Sequence, residues 1–138
     1  MLAICTAAGC SLPATTFDAY RSRATDAAEE ATSQARTAIL TAHLAEQGRL
    51  LDTAVAEQLQ EAEVAASAAV ESFASVQPPD RRADRLRARI LPVLERVADL
   101  LSRMRFEARR ADMAALLALR SALIGPADVL ERWATASA

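Results

Sequence analysis

Residues 80–110 read Asp-Arg-Arg-Ala-Asp-Arg-Leu-Arg-Ala-Arg-Ile-Leu-Pro-Val-Leu-Glu-Arg-Val-Ala-Asp-Leu-Leu-Ser-Arg-Met-Arg-Phe-Glu-Ala-Arg-Arg. Within this stretch Leu86, Ile90, Val93, Val97, Leu100 and Met104 recur at spacings of three and four. That repeat stacks side chains along one face of a helix, whereas a strand would place every second residue on a face. Charged residues fill the positions between, so the helix has one face to bury and needs partners. Asp80 can cap or charge its first turn, and Arg109 and Arg110 suit its carboxyl end. Pro92 falls inside, where it removes a backbone donor and crowds the carbonyl four residues earlier; a kink near Ala88 is expected.

The partners lie on either side. Upstream, Val55, Leu59, Ala62, Ala66, Ala69, Phe73 and Val76 carry the same spacing from about Leu50 to Val76, and Gln77-Pro78-Pro79 ends it. Before that, a helix to about Glu46 has a seam of Phe17, Tyr20, Ala24, Ala27, Ala31, Ala35, Ala38 and Ala42. Thr15 and Asp18 fit a Thr-x-x-Asp capping signature at its start, and Gly48 suits its stop because a helix end favours a residue that tolerates positive φ. Small seam residues let a neighbouring helix approach closely. Downstream, Asp112 is a candidate cap for a fourth helix with Met113, Leu116, Leu117, Leu123 and Ile124 inward. Gly125-Pro126 is expected to break it, leaving a short final helix with Val129, Leu130 and Trp133.

Short connections favour antiparallel neighbours. The expected fold is therefore all-α, an up-down antiparallel four-helix bundle over residues 15–138, with the third helix kinked at Pro92 and the fourth broken at Gly125-Pro126. A hairpin about Pro78 and Pro79 would bring Glu71 beside Arg85 or Arg87, and Glu61 beside Arg96. In such a bundle Phe17, Tyr20, Phe73 and Trp133 share one pole, with Gly48 and the Arg109–Asp112 turn at the other.

The chain has 138 residues, one domain's worth, and 52% of them are hydrophobic, enough for a core without staples. Its 34 Ala and 16 Arg, with no Lys and no Asn, point to a GC-rich bacterial genome. A net charge of −2 argues against a nucleic-acid binder. The total hides an asymmetry: residues 17–76 carry 10 acids against 4 Arg, net −6, and residues 80–138 carry 8 acids against 12 Arg, net +4. Two hairpins of opposite charge complement each other. The basic one also offers a surface to anionic lipid or an acidic partner.

Residues 1–17 form the longest uncharged run. It is too short to span a bilayer, and an apolar stretch followed by small residues has the shape of the end of a secretory signal. The tetrad Ala7-Ala8-Gly9-Cys10 resembles the lipobox of bacterial lipoproteins. That resemblance implies diacylglycerol in thioether linkage on Cys10, which becomes the mature first residue, and membrane lipid as the partner that Cys10 engages. The family more often has Leu where Ala7 stands, and a basic segment upstream, which implies a start before Met1. Residues 1–14 then form the signal remnant and a linker. Cys5 could close only a tiny loop with Cys10, which would stabilise nothing downstream.

The helical part is poor in reactive groups. His43 lies three residues before Glu46, but a ferritin-type di-iron site needs Glu-x-x-His on two helices, and position 40 is Leu40. With one His, no thiol beyond Cys10 and no Gly-rich phosphate loop, nucleophilic catalysis is not expected, nor is a metal or cofactor. The expectation is a non-catalytic binding or positioning module, lipid-anchored through Cys10 at the outer face of the bacterial cell membrane. Arg81, Arg82 and Arg85 form its membrane-surface basic cluster, and an envelope protein is a further possible partner. The alternative is a soluble, cytoplasmic helical adaptor with a disordered N-terminus.

Overall fold

A computed structural model describes residues 14–137, and it is a bundle of four helices: α1 (Phe17–Glu46), α2 (Asp52–Ser75), α3 (Arg81–Arg109) and α4 (Met113–Ser137). No strand occurs among the described residues. Ala7-Ala8-Gly9-Cys10 lies outside them.

Local chemistry sets the helix ends. At the start of α1 the cap is Thr16, one residue later than the Thr15 signature implies. Its Oγ1 accepts from the Ala19 N–H at 3.2 Å, satisfying one of the donors that a helix start leaves open. Gly48, at φ +65°, ends α1 with the Arg49 N–H on the Leu44 carbonyl and the Gly48 N–H on the Ala45 carbonyl, both at 2.9 Å. Asp80 Oδ1 accepts from the N–H groups of Arg82 and Ala83 at 2.8 and 2.9 Å, so it caps α3 as expected. Asp112 does the same for α4, taking the Ala115 N–H at 3.0 Å.

The α1–α2, α2–α3, α3–α4 and α4–α1 pairs all pack, closing a ring. Antiparallel order is fixed by cross-pairs. Thr41 on α1 donates to Gln58 on α2, Arg36 on α1 reaches Asp128 and Glu131 on α4, and Glu46 further along α1 meets Arg120. Across the ring the backbones of α1 and α3 approach closely, while those of α2 and α4 stay apart. The cause is the composition of α1. Its buried face is Ala24, Ala27, Ala28, Ala31, Ala35, Ala38, Ala42 and Ala45, with Tyr20 the one large apolar side chain, so α3 can close over it. The larger residues that fill the centre come from the other helices: Leu59, Phe73, Leu94, Leu100, Leu101, Met104, Leu116, Leu123 and Leu130.

Three expectations are corrected. First, α4 is one helix through Gly125 and Pro126. A proline disfavours the helical region for the residue before it through contacts of its Cδ with that residue's Cβ, and Gly125 has no Cβ. The unbroken helix carries its buried stripe on Leu116, Leu119, Leu123, Ala127, Leu130 and Ala134, leaving Met113, Ile124 and Val129 exposed. α3, expected to bend at Pro92 and not to break there, is one helix from Arg81 to Arg109.

Second, the α2–α3 ion pairs differ. Glu63 meets Arg105, and Arg109 donates to Gln60 at 2.7 Å, whereas the pairs expected for Glu61 and Glu71 do not form. Side chains lean toward their own helix N-terminus, so in an antiparallel pair the two heads are displaced in opposite directions along the axis. Long side chains that meet therefore stand on Cα atoms that are not level. Third, the four aromatics that share the pole do not join in one layer: only the Tyr20 and Phe73 rings pair, tilted, at 5.3 Å between centroids. Phe17 is covered by Arg82, and Trp133 is half-buried near the end of α4.

Candidate functional site: the basic pole

The chain enters the described fold at the pole formed by the starts of α1 and α3 and the ends of α2 and α4. The first nine residues of α3, Arg81 to Arg89, hold five Arg against one Asp, net +4. They sit on a helix N-terminus, the end where the backbone dipole favours acids and disfavours cations. Local preference and sequence conflict here, which is the pattern expected where a surface serves something other than its own helix.

The nearby acids are engaged elsewhere or face away. The Asp80 carboxylate is taken by the cap, and Asp18 lies 3.6 Å from Arg21. Asp84 projects from the side of α3 away from the Arg82, Arg85 and Arg89 ridge, since it stands 100° or more around the helix by the 3.6-residue repeat. Among the described residues, Arg81, Arg82, Arg85 and Arg89 have no carboxylate within 4.0 Å. Arg87 has a structural task instead: its guanidinium donates to the carbonyls of Ala74 and Val76 at 2.7 and 3.1 Å, closing the end of α2.

Phe17, Arg82, Arg85, Leu86 and Arg89 line an open cleft of about 260 Å³ on the flank of this pole. The Arg82 guanidinium carbon lies 4.0 Å from the Phe17 ring centroid, a cation–π contact. Of the cluster expected from sequence, Arg82 and Arg85 line the cleft and Arg81 stays outside. Arg89, Phe17 and Leu86 join it. The spacing of Arg82, Arg85 and Arg89, three and then four residues, carries the signal for one ridge; the approach of Phe17 from α1 has no sequence signal. Cys10 lies outside the described residues.

Away from this ridge ion pairs tie α1 to α4 and α2 to α3, although Arg23, Arg49, Arg103 and Arg132 also have no carboxylate within 4.0 Å among the described residues. Glu46 accepts from Arg120 at 2.7 Å and lies 3.7 Å from His43; the Arg120 hydrogen bond is the main cause that holds its carboxyl below the usual range. Arg36 bridges Asp128 and Glu131, which raises its own pKa through those two hydrogen bonds. No group of three His, Cys, Asp or Glu side chains suited to a metal occurs among the described residues. By length and composition α4 could cross a membrane, with a mean hydropathy of 1.5 over an 18-residue window. Four of its five leucines are buried in the core of the bundle.

The fold and this pole define a class, a small four-helix bundle with one cationic end. Comparison with protein-family models, curated proteins and solved structures finds no match to this chain.

Proposed function

We propose that this chain is the folded part of a bacterial lipoprotein, a non-catalytic helical module held at the outer face of the cell membrane through lipid on Cys10 and oriented there by its basic pole. One observation carries the reading: at the pole where the chain enters the fold, Arg81, Arg82, Arg85 and Arg89 crowd the start of one helix and have no carboxylate within 4.0 Å among the described residues. The five residues from Ser11 to Thr15 span at most about 17 Å when extended, so lipid on Cys10 would keep this end near the bilayer. Each Arg near an anionic leaflet adds about 1 kcal/mol of attraction. Two acyl chains meet the two-signal requirement for stable attachment.

The test has two arms. Intact mass of the chain from its native host should begin at Cys10 and carry a diacylglycerol adduct; an unmodified chain recovered from the soluble fraction removes the anchor. The unlipidated Cys10→Ala chain should sediment with anionic vesicles and not with neutral ones, and lose that binding when Arg81, Arg82 and Arg85 are all replaced by Ala. Equal binding to both vesicle types would remove the role of the pole.

A second reading, a soluble adaptor, draws on the outward strip of α4. Ala114, Ala118, Ala122, Gly125 and Val129 are exposed, uncharged and spaced for a helix–helix contact. It requires that Cys10 be unmodified in the host.

A further inference from the structure

We infer that the Phe17–Arg89 cleft binds a single phosphate group, and that its occupant is the headgroup of an anionic phospholipid taken individually against the flank of the pole. The choice of lipid rests on the membrane reading above; the phosphate chemistry rests on the cleft. Three arginines, Arg82, Arg85 and Arg89, stand on one ridge of α3 and line the same cleft. None is neutralised by a carboxylate. Planar guanidinium forks match phosphate oxygens in pairs, and the contact of Arg82 with the Phe17 ring reduces the side-chain freedom it has to lose.

The remaining lining gives the cleft two characters. Phe17 and Leu86, both half-buried against the core, form an apolar floor beside the three cations. Inorganic phosphate would use only the cations. A phospholipid offers phosphate to the arginines and its glycerol and upper acyl carbons to Phe17 and Leu86, and so uses both. The N–H groups of α3 take no part, because Asp80 already holds those of Arg82 and Ala83.

This capture is separable from general attraction to a charged surface. Arg89 lies eight residues into α3 beyond Arg81, about 12 Å further from the tip of the pole at 1.5 Å per residue. At physiological ionic strength, screening acts over about 8 Å, so diffuse attraction weights Arg81 at the tip above Arg89. Capture in the cleft reverses the order.

The experiment uses the full Cys10→Ala chain with phosphatidylcholine vesicles containing phosphatidylglycerol. Arg89→Gln should weaken binding about tenfold, the size of one lost charge-assisted hydrogen bond, and Arg81→Gln clearly less. Both positions are exposed, and circular dichroism checks that the variants fold. If Arg81→Gln costs as much as Arg89→Gln or more, the cleft is overturned while the membrane reading stands. If the parent chain binds no anionic vesicle, both fall. A parallel NMR titration with inorganic phosphate distinguishes the source: weak shifts at Phe17 and the Arg85 and Arg89 side chains, well short of those produced by a soluble short-chain phosphatidylglycerol, support the lipid. Equal saturation by inorganic phosphate overturns lipid as the occupant.

Discussion

At the scale of single residues, the two tight helix–helix turns use the same hydrogen-bond motif with different residues at the critical place. After α1, Gly48 takes the left-handed conformation. After α3 the equivalent position is Ala111, at φ 54°, with its N–H on the Ala108 carbonyl and the Asp112 N–H on the Glu107 carbonyl, each at 3.1 Å. An L-residue with a Cβ is strained there by roughly 1–2 kcal/mol. Ala111 is exposed and packs on little, so Ala111→Gly should stabilise the bundle by about 1 kcal/mol in urea denaturation. No change, or a loss, would mean that the turn is less tightly held than the hydrogen bonds imply. The Asp80 and Asp112 caps were legible in the sequence because a cap is a local device. The shift from Thr15 to Thr16 was not, since two adjacent threonines offer the same oxygen and only the entry angle of the chain chooses between them.

At the scale of elements, both internal prolines are carried by helices that tertiary packing holds continuous. Pro92 is exposed on α3 and has no N–H to give the Ala88 carbonyl, which also faces solvent. Unlike Pro126, it follows a residue with a Cβ, Leu91, so the crowding of the preceding residue remains. Pro92→Ala should restore one hydrogen bond and remove the clash, raising stability by up to about 3 kcal/mol with little change in fold. Thermal and urea denaturation read this directly; an unchanged or lower midpoint would show that the proline supports the packing of α3. The existence and type of all four helices followed from apolar spacing. The inward face of α4 did not, because treating Gly125-Pro126 as a break divides one phase into two and misplaces Met113, Ile124 and Val129.

At the scale of the whole molecule, the alanine face of α1 sets the shape. It lets α1 touch all three other helices and draws α3 across the ring, leaving α2 and α4 apart. Ala35 is fully buried in the middle of that face. Ala35→Leu adds volume where two helices already meet, and should cost about 1–3 kcal/mol, read as a lower urea midpoint with an unchanged slope. Wild-type stability in this variant would show slack between α1 and α3. Tyr20 marks the other boundary of this close packing: it is fully buried against Phe73, and its hydroxyl has no hydrogen-bond partner among the described residues. The basic pole belongs to this scale too. Arg82, Arg85 and Arg89 share a ridge by helical repeat alone, but the cleft exists only because α1 brings Phe17 beside them.

The helical class, the four elements, most of their caps, the antiparallel order that short connections impose and the charge difference between the two hairpins were all legible in the residues alone. Each of these depends on neighbours within a few residues along the chain, where spacing and side-chain chemistry suffice. Tertiary structure decided the diagonal contact of α1 with α3, the continuity of α4, the partners of Glu63 and Arg105, and the cleft beneath Arg82. Those outcomes depend on how far one helix slides along another and how closely their axes approach, which the summed volumes of buried side chains set across the molecule.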